Sequence, residues 1–485
     1  MSAKLRAFHP VRLATAAVIL AGLFLLWQSW LPQYVFDRGL RPVYHHDSRP
    51  RVQMQVEETG ADHDAAPSAA HAAQRPDNMQ SCKEMPGAEK VMVILKTGAT
   101  ELYQKLPVHF LTTFTCIPNF MLFSDIEQNF SDYPVYDAIA PVTEGRRAKH
   151  EDFELYRKLL EYKKEGQDMS QLKGDSGWNL DKWKFLPMLH KAFLSAPDNI
   201  EWFVMIEADT SLAWANLLLY LKTMDPKKLY YLGAQNFIGE TTFAHGGSGV
   251  VFSRAAADTL EAERAKGPRP YDEVWEERTT GYCCGDGIVA EAFLDVGIHL
   301  TPAWPLIQGE TVSSIDWTDN HWCAVAITWH HVTAIEIDSM WQFQKQWIEK
   351  HGWDVPFLHR DVFNHFIKRH IGVTRTAWNN LSNDLKIVSP ELATGDDRDF
   401  SELTPYQQKG VESAETCAVA CKHEKEFECI QWMWTPGRCH LGKDIRFGQS
   451  DEADEIGNWT SGWMSNRIAA FEKKHENCKI RWEGI

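Results

Sequence analysis

The chain has 485 residues, which is too many for one simple domain and predicts two or three structural units. Its hydrophobic fraction of 44% is ordinary for a globular protein. The formal charge of −16 at pH 7 argues against nonspecific binding to nucleic acid, because phosphates would repel the protein.

The N-terminus carries an apolar segment at residues 13–31, "LATAAVILAGLFLLWQSWL". It contains no charge and is about long enough to cross a bilayer at ~1.5 Å per residue. Basic residues and no acids precede it, so residues 1–12 are predicted to be a cytoplasmic tail and the remainder to be lumenal. A cleaved signal peptide is the alternative, but the bulky "WQSW" end suits a membrane interface better than a cleavage site.

A lumenal protein folds in an oxidising compartment, where most of the 10 cysteines are expected to form disulfides. Three sequons fit the same compartment and predict N-glycosylation at Asn129, Asn380 and Asn458. Residues 32–87 are polar, lack periodicity and are interrupted by Pro, Ala, His and Asp. This composition predicts a flexible stem.

From residue 91 onward, short apolar runs alternate with amphipathic ones, which predicts an α/β domain with a largely parallel sheet. The predicted helices include one after the first strand that is interrupted near Pro107, and one that Pro187 breaks or starts. The predicted strands are 91–95, 119–125, 133–139 and 201–207, and the predicted helices with clear bounds are 151–165, 180–194 and 211–224.

Two acids end the fourth strand, in the stretch "WFVMIEADTS". Ligands of open α/β sheets bind outside the carboxyl ends of the strands, where Glu207 and Asp209 are expected to lie. Because unpaired carboxylates are costly there, a divalent cation held together with substrate phosphates is one interpretation. The alternative is that Asp209 or Thr210 caps a helix beginning near Ser211.

Three downstream segments carry further polar groups. Gly246, Gly247 and Gly249 in "FAHGGSGVVFSR" allow close approach of a ligand to the backbone, or serve a structural turn. Asp286 in "CCGDGIVAEAF" precedes an amphipathic helix, where it acts on a ligand or caps the helix. His330, in "AITWHHVTAIEI", follows another strand and is either a ligand or a structural histidine.

The order of these motifs resembles glycosyltransferase family 31, especially the core 1 β1,3-galactosyltransferase branch. That branch has a W-K-T helix, W-F-x-K-A-D-D-D-T-Y, G-G-x-G, an acid before a helix, and a Cys followed by S-F-H-Y-V. The chain offers "KWKF", "WFVMIEADTS", "HGGSG", "CCGDG" and "CAVAITWHHV" in the same order, and "CIPNFMLFSD" is similar to the family's second strand. The likeness covers roughly residues 91–352.

The resemblance implies a GT-A-like fold over residues 88–374, a Rossmann-type mixed sheet with helices on both faces. It implies Asp209 and His330 as ligands of Mn²⁺ or Mg²⁺, and Asp286 as the general base for the acceptor hydroxyl. It also implies that the UDP-sugar donor contacts the residues Asp125, Lys184, Glu207, Gly246 and Gly247.

The chain departs from the family pattern at the metal motif. Glu207 and Ala208 replace the first two aspartates, so one carboxylate is lost, and Ser211 replaces the usual Tyr. Phe185 replaces Thr after the lysine. The chemistry implied is inverting transfer of a hexose, in which a Lewis acid neutralises the leaving diphosphate and one base activates the acceptor.

Residues 375–485 differ in composition from the preceding part of the chain, because four cysteines lie close together in an aromatic-rich segment. The segment "ETCAVACKHEKEFECIQWMWTPGRCHLGKD" resembles a PAN/apple module, which implies disulfides Cys417–Cys439 and Cys421–Cys429. Such modules bind protein or carbohydrate. The alternative is a disulfide-bonded C-terminal segment that stabilises the enzyme.

Together these features predict a Golgi type II membrane protein that transfers a hexose, with galactose expected from the family, from a UDP-sugar to a glycan or glycoprotein hydroxyl. The competing prediction is a non-catalytic lumenal glycan-binding protein or chaperone on a degenerate transferase fold. A disulfide from the Cys283–Cys284 pair to Cys323 is one arrangement expected to hold Asp286 in place.

Overall fold

The computed structural model describes residues 82–172, 174, 176–372, 374–451 and 458–485. The predicted cytoplasmic tail, the predicted membrane helix and residues 32–81 of the predicted stem lie outside the described residues. None of the described helices is both long and apolar enough to cross a membrane.

Strands and helices are interspersed between residues 91 and 362. The strands are β1 (Val91–Lys96), β2 (Asn119–Ser124), β3 (Gln128–Phe130), β4 (Tyr133–Asp137), β5 (Trp202–Glu207), β6 (Ser211–Leu212), β7 (Tyr231–Gly233), β8 (Gln235–Ile238), β9 (Thr241–Ala244), β10 (Val250–Ser253), β11 (Leu300–Pro302) and β12 (Thr328–Trp329). The helices are α1 (Leu102–Leu111), α2 (Glu144–Lys149), α3 (Glu154–Glu165), α4 (Ser176–Asp181), α5 (Phe185–Ser195), α6 (Trp214–Leu221), α7 (Arg254–Ala265), α8 (Pro268–Thr280), α9 (Gly285–Asp295), α10 (Asp319–Trp322), α11 (Ala334–His351) and α12 (His359–Val362).

Eight of these strands form one mixed sheet in the order β11-β7-β10-β5-β1-β2-β4-β3. Strands β5, β1, β2 and β4 run parallel, whereas β10 is antiparallel to both of its neighbours, β5 and β7. The chain passes from β7 to β10 through the β8–β9 hairpin, without a crossover helix. Because β10 runs against both neighbours, the sheet is mixed, as the resemblance implies, rather than largely parallel.

Alternate residues of the central strands supply two hydrophobic cores, one on each face of the sheet. In β1, Val93 and Leu95 pack with helices α1 and α6 on one face. Met92 and Ile94 pack with α5, α7 and α9 on the other face. Helices therefore cover both faces, and the strands β1, β5 and β10 are buried along nearly their whole length, which explains their continuous apolar runs.

The two prolines singled out in the sequence, Pro107 and Pro187, both lie inside helices. Pro187 is the third residue of α5, where a missing N–H costs no helical hydrogen bond, so it belongs to the helix start. Pro107 lies within α1, and the predicted interruption of that helix is wrong. Leu102 and Leu106 are fully buried on the core side of α1, and this packing holds the helix across the proline.

The second part of the chain contains a five-stranded antiparallel sheet in the order β13 (Thr374–Thr376), β19 (Thr460–Trp463), β16 (Gln431–Thr435), β17 (Arg438–Gly442) and β15 (Leu385–Val388). Cys417 pairs with Cys439 and Cys421 with Cys429, the nesting that the PAN/apple resemblance implies. The other strands here are β14 (Trp378–Asn379) and β18 (Gln449–Ser450), and the helices are α13 (Pro405–Gly410), α14 (Ala414–His423) and α15 (Ser465–Lys474).

The second sheet shares a hydrophobic core with the first part of the chain. Trp317, Trp329 and Phe363 pack in one cluster with Ile430 and Trp463. The C-terminal residues then return to the first part, because Cys478 is bonded to Cys323. The predicted division at residue 374 therefore separates two sheets that are joined by a common core and a disulfide.

Cys82 is bonded to Cys116, and this bond changes the extent of the predicted stem. Cys82 and Met85 are buried in the main core. Residues 82–87 therefore belong to the folded unit, so the predicted end of the stem at residue 87 is wrong.

The three sequons differ in exposure. Asn129 and Asn458 are exposed. Asn380 is fully buried, and its side-chain nitrogen donates a hydrogen bond to the Trp432 carbonyl at 3.1 Å. This packing leaves no room for a glycan, so the folded structure disfavours the predicted glycosylation at Asn380.

Two buried histidines lie close together near the shared core. The ring centroids of His321 and His359 are 5.2 Å apart, and both side chains are almost completely buried. Burial lowers the pKa of His359 to about 4, despite a hydrogen bond to the Pro305 carbonyl. Burial and the neighbouring His359 also lower the pKa of His321.

We predict that acid destabilises this region. In the unfolded chain, His359 takes up a proton as the pH falls below its ordinary pKa of 6.5. In the folded protein, it does so only near pH 4, so protons favour the unfolded chain between these values. Stability therefore falls as the pH drops from 7 to 5, by about 2 kcal/mol for this one residue. Chemical unfolding at both pH values should show a smaller fall for His359→Gln than for the parent. The exposed His299→Gln is the control, and an equal fall in all three proteins would contradict the prediction.

Candidate functional site

A cleft of about 550 Å³ opens at the carboxyl ends of β1, β2 and β5. This is the position at which open α/β sheets bind ligands, and the volume is ordinary for a small-molecule site. The residues predicted from the sequence that line it are Asp125, Lys184, Glu207, Asp209, Gly247, Asp286 and His330.

A two-stranded ladder brings Asp209 and His330 together. Strand β6 pairs with β12, with Ser211 opposite Trp329, and the Val332 amide donates to the Asp209 carbonyl at 3.1 Å. The His330 Nε2 consequently lies 3.3 Å from the Asp209 Oδ1. Helix α6 begins only at Trp214, so the interpretation of Asp209 or Thr210 as its cap is wrong, as is the predicted start of that helix at residue 211.

The charges of this pair stabilise each other. Burial by itself would lower the pKa of His330, but Asp209 and Glu207 outweigh burial and raise the pKa to about 9. Burial would raise the pKa of Asp209, but His330 and Lys105 hold it well below its usual range. The Lys105 Nζ lies 3.2 Å from the Asp209 Oδ2.

The glycine loop packs directly on His330. A Cβ built on Gly247 would lie 2.1 Å from an atom of the His330 ring, so any other residue would displace the imidazole. The Thr210 hydroxyl donates to the Gly247 carbonyl at 2.7 Å and accepts a hydrogen bond from the Glu207 amide. The loop is therefore tied to the end of β5 and to His330 at once.

Asp286 faces the same loop. It lies in the first turn of α9, whose cap position is occupied by Cys284, so the interpretation of Asp286 as the cap is wrong. The Asp286 Oδ2 accepts a hydrogen bond from the Gly246 amide at 3.0 Å, and the Oδ1 accepts one from Gly287 at 2.9 Å. Burial raises the pKa of Asp286 and outweighs these two hydrogen bonds.

Glu207 is held by a lysine that the sequence analysis did not assign. Lys96 and Glu207 are register partners at the ends of the parallel strands β1 and β5, and the Lys96 Nζ lies 3.0 Å from the Glu207 Oε1. Burial would raise the pKa of Glu207, but Lys96 and His330 hold it far below its usual value. A sequence feature could have identified Lys96 as a residue of the site, because Lys96 ends an apolar run in the same way as Glu207.

Lys184 is buried and fully engaged. Its ammonium group contacts the Asp125 Oδ1 at 2.9 Å, the Asp181 Oδ1 at 2.7 Å and the Thr97 carbonyl at 3.2 Å. An ammonium group has three donors, so none remains for a ligand in this arrangement. Lys184 therefore positions Asp125 and Asp181 at the cleft floor, rather than contacting a donor directly as the resemblance implies.

Cys283 and Cys284 are bonded to each other and line the cleft beside Asp286. The expected disulfide to Cys323 is wrong, since Cys323 is bonded to Cys478. Adjacent cysteines close the smallest possible disulfide ring, and this ring lies immediately before α9. It therefore restrains the backbone that carries Asp286.

Sequence reasoning missed three further residues in the cleft or in contact with its lining. Asp181 bridges Lys96 and Lys184, and Lys105 contacts Asp209; neither follows an apolar strand, so no pattern marks them. His331 follows His330 in the chain, and the sequence analysis gave it no role. It offers a ligand atom within 4.8 Å of those of Asp209 and His330, a grouping able to hold a metal ion.

Comparison of the chain with models of known protein families gives no match, and comparison with curated proteins gives none either. The resemblance to family 31 and to PAN/apple modules therefore remains a prediction from the quoted motifs.

We predict that Gly247→Ala destabilises the protein, because the added methyl group must displace the buried His330 ring. The expected loss is about 1–3 kcal/mol, which thermal or denaturant unfolding measures. Gly145→Ala in helix α2 is the control, because its added Cβ meets nothing within 4 Å. Equal stability of Gly247→Ala and the parent would show that the loop does not constrain His330.

Proposed function

We propose that the protein is a metal-dependent, inverting hexosyltransferase with a GT-A-like fold that uses a UDP-sugar. The observation that carries this proposal is the convergence of three groups on one cleft. Asp209 and His330 form a carboxylate–imidazole pair, and Asp286 lies across the Gly246–Gly247 loop from them. The galactose donor and the β1,3 linkage come only from the resemblance to family 31.

The residues present fit a divalent metal. Two atoms that each lie about 2.1 Å from one metal ion, at right angles, are about 3 Å from each other. The Asp209 Oδ1 and the His330 Nε2 are 3.3 Å apart, which is close to that separation. A mixed oxygen and nitrogen set favours Mn²⁺ over Mg²⁺. When bound, such a metal acts as a Lewis acid that neutralises the charge of a diphosphate leaving group.

Asp286 is suited to accept the proton of the acceptor hydroxyl. A carboxylate is a better base when its pKa is raised towards the working pH, and burial raises the pKa of Asp286. The backbone amides of Gly246 and Gly287 orient the carboxylate. It remains on the cleft wall, where an acceptor could approach it.

The cleft floor is suited to a diphosphate sugar. Lys96 is a buried cation held by Glu207 and Asp181, with its ammonium group 4.4 Å from the centroid of the Phe185 ring. The described carboxylates take two of its three donors, which leaves one for a phosphate or sugar oxygen. Fixed charges of this kind stabilise a developing negative charge without reorganisation.

The proposed location is the Golgi membrane, in a single-pass type II orientation with the cleft in the lumen. All ten cysteines are paired, as expected in an oxidising compartment. The exposed sequons Asn129 and Asn458 are consistent with the same compartment.

A second candidate function is a non-catalytic lumenal glycan-binding protein or chaperone. The contact of Lys105 with Asp209 favours it, because the lysine neutralises this carboxylate without a metal. The loss of one carboxylate at Ala208 points the same way. The two candidates differ in whether the protein transfers sugar at all.

We predict that Asp286→Asn abolishes transfer from UDP-hexoses. The change keeps the size of the side chain and removes its basicity, so a loss on the order of 10²-fold or more is expected for a general base. The affinity for UDP in Mn²⁺, measured by calorimetry, should change little. Asp209→Ala should instead weaken UDP binding.

The matched control is Asp295→Asn, at the exposed end of the same helix α9. Transfer by Asp286→Asn at the parental rate would remove Asp286 as the base. A parent that binds UDP but transfers no sugar to a broad acceptor set would favour the glycan-binding function.

We predict glycans at Asn129 and Asn458 and none at Asn380 when the full chain is expressed in a eukaryotic host. The first two side chains are exposed, and the third is buried and hydrogen-bonded. Peptide mapping by mass spectrometry after peptide-N-glycosidase treatment in ¹⁸O water measures occupancy at each site, because this amidase converts a glycosylated Asn into ¹⁸O-labelled Asp. No occupancy at either exposed site would contradict the lumenal orientation.

A further inference from the structure

His330 and His331 are adjacent in the chain, yet their rings lie together. In an extended strand, successive side chains point to opposite faces. Here the ring centroids are 3.9 Å apart with an angle of 36° between the planes. His331 has a φ of 58°, in the left-handed region, and this turn brings its ring beside that of His330.

The left-handed turn is held on both sides by the backbone. The His330 amide donates to the Glu310 carbonyl at 3.3 Å, and the Val332 amide donates to the Asp209 carbonyl at 3.1 Å. This conformation is unfavourable for a residue that carries a Cβ. The surrounding contacts therefore maintain an arrangement that the isolated chain would disfavour.

The result is a cluster of three ligand-type side chains on the cleft wall. Asp209, His330 and His331 each offer one ligand atom, and these atoms all lie within 4.8 Å of one another. His245 is also close, with its ring centroid 5.4 Å from that of His330. However, its Nδ1 is hydrogen-bonded to the Ser248 hydroxyl at 2.7 Å, and it is outside the cluster.

We propose that His331 is a third protein ligand of the metal in the cleft, which gives an Asp–His–His donor set. The proposal rests on the metal site of the proposed function and deepens it. A second imidazole makes the set richer in nitrogen, and nitrogen ligands select transition metals over Mg²⁺. The site should therefore bind Co²⁺ and Zn²⁺ more tightly than Mn²⁺, and Mg²⁺ most weakly.

The primary test is calorimetric titration of MnCl₂ and MgCl₂ into the purified full chain and its His331→Asn variant. Asparagine adopts the left-handed conformation readily but cannot supply a nitrogen ligand. We expect the affinity for Mn²⁺ to fall about tenfold or more, the scale seen even when residues that only support a ligand are changed. The affinity for Mg²⁺ should fall less, so the discrimination between the two metals decreases.

Pulsed electron paramagnetic resonance of bound Mn²⁺ provides a readout that does not depend on activity. We expect couplings to two imidazole nitrogens in the parent and to one in His331→Asn. His245→Gln is the matched control and should retain both couplings and the parental affinity. Thermal unfolding of each variant shows whether it is folded.

The outcomes separate this inference from the proposed function. The role of His331 would be overturned if His331→Asn kept two nitrogen couplings and the parental metal affinity. It would also be overturned if the parent showed only one coupling. In either case the protein could still transfer sugar. Loss of one coupling in the variant would support it even if no sugar is transferred. A parent that binds none of these metals would overturn both this inference and the metal-dependent mechanism.

Discussion

Strand β6 pairs with β12 over only two residues on each side, and the arrangement of the cleft depends on this short ladder. It joins the segment after β5 to a segment more than a hundred residues later in the chain. Asp209 lies just before β6 and His330 just after β12, so the ladder determines their separation. Thr210 and the Gly247 carbonyl extend the same connection to the glycine loop, and through Gly246 to Asp286.

The shared hydrophobic core supports this ladder from behind. Trp329, the residue of β12 immediately before His330, is fully buried in the cluster that also contains Ile430 and Trp463 of the second sheet. The C-terminal part of the chain therefore stabilises the strand that presents His330. This observation favours a stabilising role for that part, which does not require a ligand of its own.

The cleft also concentrates charge at low exposure. Lys96 and Lys184 are almost completely buried, and Asp125, Asp181 and Glu207 surround them. Removing charges from water is costly unless they are paired and hydrogen-bonded. Each of these lysines is paired with acids, so the requirement for pairing is met and the charged atoms are held in fixed positions. Charges held in place in this way can interact with a charged ligand without reorganisation.

The sequence by itself located the central strands β1, β2 and β5, because strands buried in the core leave continuous apolar runs such as 91–95 and 201–207. It also indicated which strand ends carry Glu207, Asp209 and His330, since polar residues interrupt the apolar pattern there.

Only the tertiary structure decided what these side chains contact. The antiparallel β10, the ladder that pairs Asp209 with His330, and the disulfides of Cys283 with Cys284 and of Cys323 with Cys478 depend on chain reversals that local periodicity does not encode. Lys105 and Asp181 reach the cleft from helices, where a charged residue usually faces solvent, so their roles follow from packing alone. The burial of Asn380 is decided in the same way, because a sequon records composition and not exposure.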